Sequence, residues 1–195
     1  MPELPAGREE GRGTRSILVE SDRLLIRRLE EGDSRDLERV FCDPVMMAYL
    51  GGAWAPHKVG KALREWRQEW GVDDRWYGLL LRKDTREPIG TAGFTENTIP
   101  GEPGLELSWF VLAEHQRQGF ATEITIELLR RAFDGLGVRR VLAETHADNP
   151  AANGLLARLR FECLGERRCR CDYLPGFETQ ALWELTREDW RRGAP

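Results

Sequence analysis

The stretch Gln116-Arg117-Gln118-Gly119-Phe120-Ala121-Thr122 stands where a strand pattern stops and a helix pattern starts. Upstream, Leu105, Leu107, Trp109 and Val111 alternate with Glu106, Ser108 and Phe110, the period of two of a half-buried strand. Downstream, Ala121, Ile124, Leu128, Leu129, Ala132 and Phe133 recur on one helical face, with Gly135 and Gly137 available to end the run. A helix starting near Gly119 presents backbone N–H groups that lack intrahelical partners, together with the positive end of its dipole, and so attracts a diphosphate. Gly119 lets such a ligand approach the backbone closely.

Outward from that junction, residues 23–28 read as a strand about Leu24 and Ile26, followed by a helix capped by Asp33 and carrying Leu37, Val40 and Phe41. Asp43-Pro44 predicts a second short helix with Val45, Met46, Tyr49 and Leu50, ended by Gly51-Gly52. Residues 57–70 predict an amphipathic helix about Val59, Leu63, Trp66 and Trp70, an aromatic stripe that suits a core. Strands are expected at 76–82 and 89–95, joined by a polar turn, then at 138–145, a helix near 149–159, and strands near 161–171 and 178–185. The order is mixed α/β (α+β) with about seven strands, and its central strand-helix-strand unit is able to make one parallel pairing by a right-handed crossover. Residues 1–16 have almost no apolar content and read as a disordered tail, leaving 17–195 as one domain.

Apolar content of 41% and charged content of 32% over 195 residues are ordinary for a globular enzyme domain. A net charge of −4 gives no reason to expect nucleic acid and suits a cationic amine. Alternating arginines around Arg167 read as one solvated strand face. No apolar run approaches the ~20 residues of a membrane span, and the polar start is unlike a signal peptide, so a cytoplasmic protein off the membrane is expected. Cys42, Cys163, Cys169 and Cys171 do not form a disulfide framework, and the C-x-C spacing is not that of a zinc knuckle, so reduced thiols and no metal are expected. Neither a G-x-S-x-G elbow, a P-loop nor an H-E-x-x-H helix is present, and Ser108 is the only serine beyond residue 34.

Gln116, Gly119 and Ala121 form a Gln-x-x-Gly-x-Ala pattern that resembles the acetyl-CoA pyrophosphate loop of the GNAT (general N-acetyltransferase) superfamily. The opening Glu20-Ser21-Asp22-Arg23-Leu24-Leu25-Ile26-Arg27, Pro88-Ile89-Gly90 before Gly93-Phe94, and Asp148-Asn149-Pro150-Ala151-Ala152-Asn153 ahead of Leu159-Arg160-Phe161 resemble the branch of ribosomal-protein alanine N-terminal acetyltransferases. These matches run in family order over residues 17–190. The resemblance implies a GNAT-like central twisted mixed sheet of about seven strands flanked by helices, and direct transfer of acetyl from acetyl-CoA to a primary amine, a protein N-terminus or a small amine, in a ternary complex without a covalent enzyme intermediate. The alternative is a non-catalytic acyl-CoA-binding regulatory module. A homodimer stays open.

The resemblance also implies roles. Gln116, Arg117, Gln118, Gly119, Phe120 and Ala121 would hold the diphosphate through backbone amides, with the Thr122 hydroxyl as a further donor. Phe110 and Val111 would offer main-chain groups to pantetheine and to the developing oxyanion. Asn149 would contact the pantetheine arm, although asparagine is also a good helix N-cap, and Asn153 lies one turn further on. Glu106 is the candidate base acting through water, against the reading of a surface or ion-paired glutamate. An aliphatic amine with a pKa near 10.4 must lose a proton before it attacks. Leu156 stands where many relatives carry an acidic tyrosine, and Ala152 and Arg160 replace a serine and a glycine. A thiol of pKa about 8.5 leaves without full protonation, and Ser108, Tyr173 and Tyr49 are substitute donors. His57, His115 and His146 are the only neutral-pH bases by intrinsic pKa, and an acceptor lid is expected from residues 46–70 and 173–177.

Overall fold

The computed structural model describes residues 17–68, 76–95, 104–168 and 179–193. The strands are β1 (Ile17–Glu20), β2 (Leu24–Arg28), β3 (Trp76–Arg82), β4 (Pro88–Thr95), β5 (Leu105–Val111), β6 (Arg140–His146), β7 (Glu162–Arg168) and β8 (Thr179–Thr186). The helices are α1 (Ser34–Phe41), α2 (Pro56–Gln68), α3 (Phe120–Arg130), α4 (Pro150–Arg158) and α5 (Arg187–Gly193). All eight strands join one open mixed sheet in the order β1-β2-β3-β4-β5-β6-β8-β7. The expected parallel pairing is β5 with β6; every other neighbouring pair is antiparallel.

The period of two sorts the apolar side chains of the central strands to opposite faces. Leu24, Ile26, Leu80, Leu105, Leu107 and Val141 pack with Phe120, Ile124, Leu128 and Phe133 of the α3 segment. Leu25, Tyr77, Leu79 and Leu81 pack with Leu37, Val40 and Phe41 of α1 and Val59 and Leu63 of α2. One helical layer therefore covers each face. Leu156 of α4 and Trp190 of α5 join the α3-side core, Trp190 stacking on Phe133 at 5.8 Å. After Arg130 the helix widens through Arg131–Leu136 and stops at Gly137, whose φ of 71° is the left-handed C-terminal stop expected of glycine.

Three local expectations change. The sheet has eight strands rather than about seven, because Ile17–Glu20 pairs antiparallel with β2 although it is too short to show a period. Residues 43–50 form consecutive turns rather than a helix: the Asp43 carboxylate accepts from Val45 N and Met46 N at 2.7 and 3.1 Å, and Met47 rather than Met46 is the buried anchor. A short terminal helix, α5, sits where charge hid the single apolar anchor, Trp190.

Asp33 does hold the N-cap position of α1, yet its carboxylate makes no capping bond. It accepts instead from both terminal nitrogens of Arg27 at 2.8 and 2.7 Å and from Glu30 N at 2.7 Å, and it is 5% exposed. This pair ties β2 to the start of α1. Asp33→Ala leaves the Arg27 guanidinium without its main partner and should cost about 2–4 kcal/mol, measured by urea unfolding. A cost below about 0.5 kcal/mol would show the pair to be ornamental, as surface pairs often are.

Candidate active site

β5 and β6 pair only at their first residues, Leu105 with Val141 and Glu106 with Leu142. Beyond that point β5 stays bonded to β4 and β6 to β8, so the two strands part and leave a wedge between Leu107–Val111 and Ala143–His146. Main-chain groups alternate in direction along a strand. Leu112 N donates to Ile89 O at 2.9 Å, and a Cβ on Gly90 would lie 2.0 Å from the Phe110 carbonyl oxygen, so Leu112 and Phe110 turn their main chain toward β4. The main-chain groups of Leu107, Trp109 and Val111 consequently face the wedge. Of the expected pair, Val111 is there, while Phe110 sends only its ring to the α1/α2 face, where it meets Phe41 edge-on at 5.3 Å. Trp109 takes the second main-chain place, a distinction that needs the ladder register.

The loop after β5 is built from beneath. Gln116 folds back so that its Nε2 donates to Val111 O at 2.9 Å, fixing the loop to the strand end. Gln118 donates to Glu114 O at 3.4 Å. Arg117 and Gly119 both have positive φ, 62° and 82°, and Gly119 is the N-cap of α3. The first turn closes with Glu123 N on Gly119 O at 3.0 Å, so the amides of Phe120, Ala121 and Thr122 start the helix ahead of any intrahelical acceptor. Arg117, Gln118 and Gly119 are exposed, Ala121 and Thr122 half-buried, and the Phe120 ring is buried beneath the Arg23 guanidinium, 4.6 Å from its centroid.

A clamp that the sequence reading missed holds this turn. Glu123 accepts from Ser21 Oγ at 2.6 Å, from Arg23 N at 2.9 Å and from Arg23 Nε at 2.6 Å, and Arg23 Nη2 reaches Gln118 O at 3.2 Å. The signal was an acid in the first turn of a helix, which alone says only that the dipole is complemented. Burial acts to raise the Glu123 pKa, but the bonds from Ser21 and Arg23 together outweigh it and hold the carboxyl below its ordinary value. The carboxylate's contribution is therefore complete above the unfolded value of about 4.3 and is lost as pH falls through the lower folded value. Glu123→Gln should cost about 1–2 kcal/mol at pH 7, with the gap closing below about pH 4 in a series of thermal melts. A gap independent of pH would exclude the ionised carboxylate as its source.

At the other end of the wedge, Asn149 caps α4, its Oδ1 accepting from Ala152 N at 3.2 Å, with Pro150 in the first turn. Asn153 turns inward: its Nδ2 donates to Ala147 O at 2.8 Å and His146 O at 3.2 Å, and its Oδ1 meets the Thr145 hydroxyl, which also accepts from Trp183 Nε1 at 3.1 Å. The Asn153 amide is thus spent on the β6–α4 turn. Ala152 is half-buried. Leu156 is fully buried in the α3-side core, so the departure from tyrosine is accommodated by packing. Arg160 sits at φ 64°, the left-handed conformation that glycine would adopt without strain.

Glu106, Ser108 and Phe110 share the α1/α2 face of β5 and are half-buried. Glu106 stands at the vertex, in the last paired row before the strands part. Phe41, Trp54 and Trp66 gather beside Phe110, Phe41 stacking on Trp54 at 4.9 Å, and Trp66 leans on Tyr77 at 4.9 Å. Tyr49, from the turns after α1, meets the His146 ring at 5.5 Å. Of residues 46–70, where a lid is expected, Tyr49 packs beside His146 and Trp54 beside Phe41, while 69–70 and 173–177 lie outside the described residues together with Tyr173, Cys169 and Cys171. His57 is exposed; His115 is buried, its Nε2 3.4 Å from the Glu87 carboxylate. Among the described residues no group of three His, Cys, Asp or Glu could hold a metal ion, and no helix is long and apolar enough to cross a membrane.

Residues 23–162 match the acetyltransferase (GNAT) domain. The uncharacterized N-acetyltransferase YoaA of Bacillus subtilis is 28% identical over 161 residues, covering 77% of this chain and 86% of that protein. The uncharacterized N-acetyltransferase p20 of Bacillus licheniformis is 28% identical over 145 residues, covering 73% and 80%. Among solved structures, a probable GNAT-family acetyltransferase from Chromobacterium violaceum superposes with a TM-score of 0.75 at 18% identity, covering 98% of this chain and 96% of that one. The ribosomal-protein-S5-alanine acetyltransferase of Vibrio fischeri gives 0.72 at 17% identity, covering 89% and 98%. At these identities the structural likeness is one of fold. With the domain matched across both parted strands and the loop between them, the chain belongs to the GNAT acetyltransferase family.

Proposed function

We propose that this acetyltransferase moves the acetyl group of acetyl-CoA directly to a primary amine, a small amine or a protein N-terminus. The observation that carries the reading is the wedge between β5 and β6, which opens beside the N-terminus of α3 with a left-handed glycine at its cap. Amides at 119–122 and the α3 dipole fit a diphosphate, and the main-chain groups of Trp109 and Val111 fit an amide-bearing arm lying along a strand. When bound, acetyl-CoA supplies an activated thioester. The chain's own residues do the rest. Glu106 takes the amine proton, directly or through water, because an ammonium has no lone pair to attack with. Main-chain N–H groups of β5 stabilise charge on the carbonyl oxygen, an effect of about 3–4 kcal/mol per well-placed donor elsewhere. Ser108, two residues along the same face, donates a hydrogen bond to the departing sulfur. Tyr49, Trp54 and Phe110 wall the acceptor side, and their rings suit a cationic or apolar amine. A single domain over 17–195, working in the cytoplasm without metal, agrees with this reading.

The test is calorimetric titration with acetyl-CoA, followed by thiol release against a panel of amines and N-terminal peptides, including alanine-initiated ones. Binding with turnover is expected. Binding without turnover on a broad panel would give the non-catalytic module, and absence of binding would overturn the site.

A further inference from the structure

Behind Ser108 lies a short chain of buried hydroxyls. In the sheet register Tyr77 of β3 pairs with Gly93 of β4, and Gly93 with Ser108 of β5, so the middle position has no side chain and the outer two meet across it. The Tyr77 hydroxyl lies 2.5 Å from Thr91 Oγ1, and Ser108 is its other hydroxyl neighbour. Tyr77 is 3% exposed, Thr91 0%, and only Ser108 is half-open to the wedge.

Three hydroxyls have three protons and two mutual contacts, and Tyr77 can donate to only one neighbour. If Ser108 donates to Tyr77 and Tyr77 to Thr91, the Thr91 proton is left over; among the described residues Thr91 Oγ1 has no hydrogen-bond partner but Tyr77. If both neighbours donate to Tyr77, the phenolic proton is left over. Either arrangement strands a donor in the core at the full cost of an unmade hydrogen bond. The remaining arrangement runs from Thr91 to Tyr77 to Ser108 and leaves only the Ser108 proton, at the one member that is open. Burial pushes the Tyr77 pKa well above its ordinary value, so the phenol keeps its proton at neutral pH.

We propose that Tyr77 and Thr91 are positioning residues that aim the Ser108 proton into the wedge as a fixed hydrogen-bond donor to the departing sulfur. The proposal rests on the functional reading above and assigns direction to a group that reading merely names. The chemistry balances without proton transfer along the chain. The amine nitrogen bonds to the acetyl carbon, the carbon–sulfur bond breaks with its electron pair going to sulfur, the amine proton leaves through Glu106, and the thiolate takes a proton from solvent. Ser108 keeps its own proton. A serine hydroxyl that accepts from a phenol is also a better donor than an isolated one.

The experiment uses the full chain as Ser108→Ala, Tyr77→Phe, the double variant, Thr91→Val and Thr91→Ser, with thiol-release kinetics, acetyl-CoA titration and thermal melts for each. Ser108→Ala and Tyr77→Phe should each lower kcat about tenfold, with acetyl-CoA affinity unchanged, since one hydrogen bond in the transition state is worth about that factor. The double variant should be no slower than Ser108→Ala. Thr91→Val takes away the donor to Tyr77 but leaves Ser108 as the phenol's one hydroxyl neighbour, so its kcat should fall less than that of Tyr77→Phe, and Thr91→Ser should restore the wild-type rate. If Tyr77→Phe costs the same factor with or without Ser108, it acts by packing and the inference fails. If Ser108→Ala is slow and Tyr77→Phe is not, the inference fails while the role of Ser108 survives. If Ser108→Ala is fully active, both fall, and acetyl-CoA binding and Glu106 are judged separately. In the free protein the Tyr77 hydroxyl proton should show its stronger NOE to the Ser108 β protons; a stronger NOE to Thr91 would reverse the chain and overturn the inference whatever the kinetics.

Discussion

Gly119→Val should leave a folded protein that binds acetyl-CoA at least about a hundredfold more weakly. Steric clash is not the reason: a Cβ at this position meets only Arg23 Nη2, at 3.5 Å, an ordinary contact. The reason is the φ of 82°, which a β-branched residue adopts only under strain of about 1–2 kcal/mol. Two outcomes are open to the valine. It can hold the left-handed turn and place its methyls over the amides of Phe120 and Ala121, where a diphosphate would sit, or leave that conformation and rotate the peptide plane that starts α3. Both remove charge-assisted hydrogen bonds worth about 1.5–3 kcal/mol each, and one or two such losses give the hundredfold. The Arg23–Glu123 clamp holds the turn from the other side, so the melting temperature should fall by only a few degrees. Gly119→Ala, with less bulk at the same φ, should sit between valine and wild type. Wild-type affinity in the valine variant would mean that the helix start is not where the donor binds.

Much of this arrangement was legible because it is local. The switch from period two to period 3.6 around Gly119 fixed β5, the loop and α3 without reference to any other part of the chain. Asn149 was legible as a cap for the same reason: its partner is Ala152, three residues on. The misses share a different cause. Residues 43–50 have the apolar spacing of a helix, but the Asp43 side chain offers its own acceptor to Val45 and Met46 and competes with the helical ladder. Asn153 lies one turn beyond Asn149, and its inward role depends on where β6 ends and on the Thr145 hydroxyl. The Ser21–Arg23–Glu123 clamp joins residues 100 apart. Which of Trp109, Phe110 and Val111 present main-chain groups to the wedge depends on the β4–β5 register, because a shift of one residue exchanges the two sides. Periodicity determines that a strand has two faces; only its neighbours determine what each face meets.

The second large effect concerns the vertex of the wedge. Glu106→Gln should lower kcat by about 10²–10³ while leaving acetyl-CoA affinity within about twofold, the range typical of losing a general base. Glutamine keeps the size and most of the hydrogen-bonding outline of glutamate, so the row formed by Thr95, Glu106 and Leu142 should be undisturbed. The pH dependence then separates a base from a bystander. At pH 7 an aliphatic amine of pKa near 10.4 is almost entirely protonated, and an enzyme without a base must wait for the rare free amine. That fraction grows about tenfold per pH unit, so the variant's rate should climb with that slope as pH rises toward the amine's pKa, while the wild-type rate levels off earlier. The deficit should be widest near neutrality and narrow steadily in alkali. A constant deficit across pH would assign Glu106 a geometric or electrostatic duty, and a kcat within about threefold of wild type would remove it from the chemistry. Its position suits a base: Glu106 is the last β5 residue still paired with β6, flanked by the sheet on both sides, and the next residues on its face, Ser108 and Phe110, already border the opening.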